Sequence, residues 1–184
     1  MRYQPHVTFS AQAIAFRSLM DMHEKVRDGV EDPLDYLPIL VFTAFTIEAY
    51  VNSIGYRKIA DWDVHEGKRW KEKIDILHGN VGAVAKWGSN PLQFACKLFD
   101  IRDRVAHGKP EIVSGPLCID THTASCILVT QHLKPTIYNN LTKDWVLKSG
   151  DHLYKLLEHL GSLYQLRAED FTYFSTSYTE THYD

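Results

Sequence analysis

Residues 34–56, with the sequence LDYLPILVFTAFTIEAYVNSIGY, are predicted to form the most buried helix of the chain and decide its fold class. Apolar residues recur there at alternating intervals of three and four, which places them on one face of an α-helix. These residues are Leu37, Leu40, Ala44, Ile47, Val51 and Ile54. Because proline is tolerated only in the first turn of a helix, Pro38 predicts that the regular helix begins near Asp35.

The chain on either side of this stretch repeats the helical period. Further helices are predicted over residues 10–29, 66–77, 91–107 and 142–167. Residues 112–130 are instead rich in β-branched residues and turn formers, which favours an extended insertion that could form a short hairpin. The pattern therefore predicts an all-α protein: an antiparallel bundle of four to five helices with a partly extended insertion around residues 111–135.

The length of 184 residues fits one domain, predicted over residues 1–170. Residues 171–184 are rich in Thr, Ser and Tyr, show no period and are predicted to be a mobile tail. The net charge of −3 argues against a broad basic face that coats nucleic acid, but allows a local pocket for a few phosphates. Three cysteines without a secretory signal predict reduced thiols in a cytoplasmic protein. No apolar run reaches the length of a membrane span, so no membrane partner is expected.

The predicted fourth helix ends in Arg102-Asp103-Arg104-Val105-Ala106-His107, stopped by Gly108 and Pro110. Asp103 and His107 are four residues apart and share a face of the helix. Arg102 and His107 are five apart and point roughly 140° away from each other on an ideal helix. One regular helix therefore cannot aim both at the same atom. Either the helix unwinds at its end, or the Arg of one subunit works with the His of another.

These side chains suit phosphodiester cleavage in RNA without a metal. Arg102 keeps its proton and can bind a phosphate through two N–H groups. His107 could move a proton at the 2′-hydroxyl or the leaving oxygen, with Asp103 orienting its ring. The alternative is simple local electrostatics at a helix end, because structural ion pairs are commoner than active sites.

Two other sets of polar residues call for an interpretation. Glu48 and Asn52 lie one turn apart on the apolar second helix, so they should find hydrogen-bond partners or face a cleft. Cys118, His122 and Cys126 are spaced by four and could bind a metal, although this is not a usual zinc-site spacing. Buried thiols and a surface histidine are the favoured interpretation, and no metal site is assigned.

The hexapeptide from Arg102 to His107 resembles the Arg-x4–6-His motif of the HEPN (higher eukaryotes and prokaryotes nucleotide-binding) superfamily. The polar residue directly after the Arg and the Ala-His-Gly ending are also similar to that pattern. Residues 45–52, FTIEAYVN, look like the early HEPN helix, in which an acidic residue is followed one turn later by Asn. The resemblance covers residues 10–167 and includes the order of the helices.

The resemblance implies a HEPN-like helical bundle and a metal-independent endoribonuclease that needs no cofactor. It also implies a homodimer with two motifs facing each other, RNA as the substrate and a role as a toxin or defence effector with a cognate inhibitor protein. Arg102 and His107 carry over as catalytic residues, with Asp103 as their polar support.

Glu48 and Asn52 carry over as cleft residues that could bind the substrate. The cations Arg104 and Lys109, beside the motif, are also predicted to bind the substrate. Two features depart from the family pattern. The insertion is unusual for a minimal bundle, and Lys109 stands where some HEPN toxins carry a Tyr that a partner nucleotidyltransferase modifies. Because the superfamily includes non-catalytic members, a nucleotide- or protein-binding module is the alternative function.

Overall fold

The computed structural model describes residues 1–9, 11–29, 33–107, 110–130, 141–167 and 175–182. This part of the chain is mostly helical, as the sequence predicts, with one small two-stranded sheet. The elements are β1 (Arg2–Phe9), α1 (Ala11–Arg27), α2 (Pro33–Lys58), a 3-10 helix (Trp62–His65), α3 (Trp70–Asn80), α4 (Leu92–His107), α5 (Thr121–Thr130), α6 (Lys143–Ser162) and β2 (Ser175–His182).

Helix α2 is the centre of the bundle and packs against α1, α3, α4 and α6. The predicted apolar face is the buried one: Leu40, Ala44, Ile47, Val51 and Ile54 are each almost inaccessible to solvent, and Leu37 is partly buried. Asp35–Lys58 is also long and apolar enough to cross a membrane, which the sequence analysis did not anticipate. Packing against four other helices accounts for that apolar composition without a membrane.

Two helix starts differ from those predicted, and a third agrees. Helix α2 begins at Pro33, so Pro38 lies inside it. Helix α3 begins only at Trp70, because residues 66–68 form a turn and a bend after the 3-10 helix and Arg69 has an extended backbone. Helix α6 begins where expected, since the Thr142 hydroxyl caps it by accepting a hydrogen bond from the Trp145 N–H.

The extended insertion is the prediction that the structure corrects most clearly. Residues 111–118 have no regular structure, but Thr121–Thr130 form helix α5 in place of the predicted hairpin. Asp120 starts this helix by accepting hydrogen bonds from both the N–H and the hydroxyl of Thr123. This local cap favours a helix, although β-branched residues favour a strand. The remainder of the predicted insertion, residues 131–135, lies outside the described residues.

The two ends of the chain pair with each other. Strands β1 and β2 are antiparallel, with Arg2 opposite His182 and Phe9 opposite Ser175. Strand β2 falls within the segment predicted to be a mobile tail, yet residues 175–182 have a regular partner. A two-residue alternation is hard to recognise in a segment made almost entirely of Ser, Thr and Tyr.

Candidate functional site

Arg102 lies between helices α2 and α4 and binds two carboxylates. Its Nη2 donates to Glu48 Oε1 of α2 at 2.9 Å, and its Nη1 lies 3.0 Å from Asp103 Oδ1. The Arg102 side chain is only 24% exposed, so the link to Glu48 is better shielded from solvent than an ordinary surface ion pair. Its Nε is buried and has no hydrogen-bond partner among the described residues. The two carboxylates therefore hold the guanidinium in place through two of its five N–H groups.

The Phe99 ring, itself stacked on Trp70, packs against the Arg102 guanidinium. The Arg102 guanidinium carbon lies 5.0 Å from the centre of the Phe99 ring, within the range of a cation–π interaction. Phe99 is buried and stacks flat on Trp70 of α3, with ring centres 4.0 Å apart and planes 9° apart. Trp87 packs edge-on against Trp70. This stack restricts the position of Arg102 and joins α4 to α3.

Glu48 and Asn52 both find charged partners, as their place on an apolar helix requires. Glu48 binds Arg102 of α4, and the Asn52 amide oxygen accepts a hydrogen bond from the Lys73 ammonium of α3 at 3.0 Å. Lys73 is 92% buried, so the amide replaces part of its lost hydration. The predicted cleft residues therefore connect α2 to two neighbouring helices.

His107 is exposed in the last turn of α4 and does not share the partners of Arg102. Because α4 stays regular through His107, the two motif residues keep the divergent directions of an ideal helix. Asp103, which was expected to orient the histidine ring, binds Arg102 instead. One chain therefore does not bring Arg102 and His107 to a single point.

Of the two cations predicted to bind the substrate, Arg104 and Lys109, the structure describes only Arg104. Arg104 is exposed and pairs with Asp100, one turn earlier on α4, at 3.1 Å. Such an i,i+4 surface pair is weak and exchanges easily, so Arg104 stays available to a ligand. Lys109 lies outside the described residues.

The three residues weighed as metal ligands are dispersed around the start of α5. Cys126 Sγ lies 3.8 Å from His122 Nδ1, while Cys118 donates to the Pro116 carbonyl. Cys126 is exposed and Cys118 half-buried, so the expectation of buried thiols is wrong. Within the described ranges, no three His, Cys, Asp or Glu side chains converge.

Sequence reasoning missed a pair of histidines between α3 and α6. The Nε2 atoms of His78 and His159 are 3.1 Å apart. Burial, followed by the proximity of His78, lowers the pKa of His159 below 6.5. A cavity of about 450 Å³ adjoins this pair and is lined by His159, Glu158 and Ser162, among others. The two residues are 81 positions apart, so no local pattern could have indicated their contact.

A third histidine, His23 of α1, is buried against α6. A Cβ built at Gly150 would lie 3.6 Å from the His23 ring, an ordinary van der Waals distance, so the ring packs directly beside this part of α6. Burial first, and then the charge of Arg27, lower the pKa of His23, while Asp151 opposes them. Burial and the charge of Arg27 therefore favour the neutral form of the His23 ring.

Mild acid is expected to destabilise the fold through His23 and His159. Both have a lower pKa in the folded chain than the ordinary value of 6.5, so the unfolded chain binds more protons below that pH. The contribution of these two histidines to the free energy of unfolding is therefore fully present above pH 6.5 and is lost as the pH drops through their folded-state pKa values. Urea denaturation at about pH 7.5 and 5.5 measures this fall. His23→Gln and His159→Gln should each reduce it, and an unchanged pH dependence in both variants would contradict the assignment.

Comparisons with known proteins found no relative from which a family or a function could be assigned. No family model, curated protein or solved structure significantly matches the chain.

Proposed function

We propose that this protein is a metal-independent endoribonuclease of the HEPN type, which cleaves RNA at a composite site of a homodimer. The observation that carries this proposal is the placement of Arg102. It is held between two helices by Glu48 and Asp103 and supported by an aromatic ring. His107 is exposed on the same helix, about 7–8 Å further along the helix axis. A fixed cation and an accessible proton carrier are the two parts that metal-free phosphodiester cleavage needs.

In this mechanism the two residues act on different atoms. The guanidinium of Arg102 stabilises negative charge on the phosphate oxygens in the transition state. His107 takes a proton from the 2′-hydroxyl or gives one to the leaving oxygen. Asp103 and Glu48 keep Arg102 in position, and the phosphate uses N–H groups that these carboxylates leave open.

The surface around the ion pair supports a second copy of the chain as the partner. Phe45, three residues before Glu48 on α2, is 47% exposed, and Val105, three residues after Arg102 on α4, is 39% exposed. Apolar side chains beside a charged pair on two adjacent helices are typical of a protein interface. A two-fold axis through this surface would bring the motif of each copy towards the other.

The dimer can be tested at Phe45. Phe45→Glu is expected to convert a dimer to a monomer and to reduce RNA cleavage, because it places like charges opposite each other across the two-fold axis. Ile14→Glu on α1 is the control, since Ile14 is 45% exposed and lies on a different helix. Light scattering after size exclusion measures the mass. A wild-type monomer, or a Phe45→Glu dimer, would contradict the arrangement.

The cellular role follows from the same proposal. A cytoplasmic RNA endonuclease of this kind would serve as a toxin or defence effector, with a cognate inhibitor protein. The test of the activity is RNA cleavage in EDTA by the purified wild-type protein, at equal amounts of folded protein in each reaction. Cleavage that disappears in EDTA would overturn the metal-independent mechanism.

A second candidate is a non-catalytic HEPN-like module that binds a nucleotide or a protein. The favouring observation is that two carboxylates already occupy Arg102, so a phosphate must compete with them. RNA that is bound but not cleaved by the wild type would favour this module over the nuclease.

A further inference from the structure

The histidine pair between α3 and α6 has the arrangement of two metal ligands. The Nε2 atoms of His78 and His159 face each other at 3.1 Å, with ring centres 5.3 Å apart and planes tilted by 37°. His78 is 2% exposed, whereas His159 is half-buried and lines the neighbouring cavity. The pair shares no residue with the Arg102 site.

A backbone carbonyl sets the tautomer of His78. Its Nδ1 lies 2.8 Å from the Ile74 carbonyl oxygen, which can only accept a hydrogen bond. Nδ1 therefore carries the proton, and the neutral ring presents a lone pair at Nε2, towards His159. Metal-binding histidines commonly have this arrangement, with one ring nitrogen donating to a carbonyl and the other on the metal.

The spacing of the two rings fits a tetrahedral ion. With Zn–N bonds of about 2.0–2.1 Å, two tetrahedral ligands have their nitrogens about 3.3–3.4 Å apart. The observed 3.1 Å is within a small side-chain adjustment of that value. The cavity of about 450 Å³ beside His159 has room for several waters, enough to fill two remaining positions on the ion.

We propose that His78 and His159 bind Zn²⁺ with two waters from this cavity, and that the ion clamps α3 to α6. The ion replaces the direct imidazole contact that the pair makes in its absence. The Zn²⁺ ion takes the place of the proton between the two rings, and so links α3 to α6, which are distant in sequence. The site is independent of the proposed nuclease function, since its ligands are not those of the RNA site.

Titration of the purified protein with ZnCl₂ near neutral pH tests the site. Calorimetry is expected to give one saturable Zn²⁺ site per chain. Zn²⁺ at a hundredfold excess over Kd is expected to raise the Tm by about 5–10 °C, because it binds only the folded chain. His159→Gln, and separately His78→Gln from the other helix, should remove both the binding and the increase in Tm.

Two control variants distinguish this site from other Zn²⁺ ligands in the chain. His152→Gln changes another half-buried histidine of α6, whose ring stacks on Phe94. Cys126→Ser removes the thiol beside His122 on α5. Both should keep the Zn²⁺ site. No saturable binding by the wild type, or equal binding by both His78→Gln and His159→Gln, would overturn the proposal and leave a direct hydrogen bond between the rings.

Discussion

Replacing His107 with Ala is expected to lower the rate of RNA cleavage in EDTA by about 10²–10⁴-fold, the usual contribution of a general acid or base. His107 is exposed at the end of α4, so the substitution removes the proton carrier with little effect on packing. The measurement is the initial rate of cleavage of a labelled RNA, with thermal unfolding recorded alongside.

His122→Ala is the matched control, because His122 is also an exposed helical histidine but lies on α5. It should cleave at the wild-type rate. Equal cleavage by wild type and His107→Ala would exclude His107 as the proton carrier and, with it, the assigned mechanism.

A mixing experiment tests the composite site directly. Arg102→Ala is expected to lose about 10²–10³-fold in rate, as removal of one transition-state donor does. If the Arg of one subunit acts with the His of the other, a heterodimer of Arg102→Ala and His107→Ala regenerates one complete site. Random re-association should then restore about a quarter of the wild-type rate. Half of the dimers are mixed, and each mixed dimer has one complete site where the wild-type dimer has two. No recovery in a sample shown to contain heterodimers would place both residues in one chain.

The second large effect is expected at Gly55, in the interior of α2. A Cβ at this position would overlap with the indole ring of Trp62, which is itself buried. Gly55→Ala therefore must displace the indole or the helix, and should lower the free energy of unfolding by about 1–3 kcal/mol or more. Urea denaturation followed by tryptophan fluorescence measures both the stability and the environment of Trp62.

Gly79→Ala on α3 is the matched control for Gly55→Ala and is not expected to destabilise the protein. Apart from the backbone of α3 itself and the two chain neighbours, no atom of the described residues lies within 4 Å of a Cβ built at Gly79, so no neighbour has to move. Alanine in a helix is favoured over glycine by roughly 0.5–1 kcal/mol, so this variant should be as stable as the wild type or more stable. If Gly55→Ala also proved neutral, the contact between Trp62 and α2 would have to be wrong.

The helical period explains why the core of α2 was predictable. Five of the six residues assigned to its face, from Leu40 to Ile54, are buried. The period depends only on the spacing of neighbouring residues, so the sequence is sufficient to recognise it. Helix α5 was missed because one cap, Asp120, prevailed over the composition of the residues that follow it.

The sequence by itself determined the long helices, the residues of the buried face and the location of the Arg102–His107 motif, because each is a local pattern. Only the tertiary structure decided which side chains meet. Glu48 binds Arg102 across 54 residues, and His78 meets His159 across 81. Such pairs depend on how helices pack, and packing is set by the shapes of all the buried side chains together.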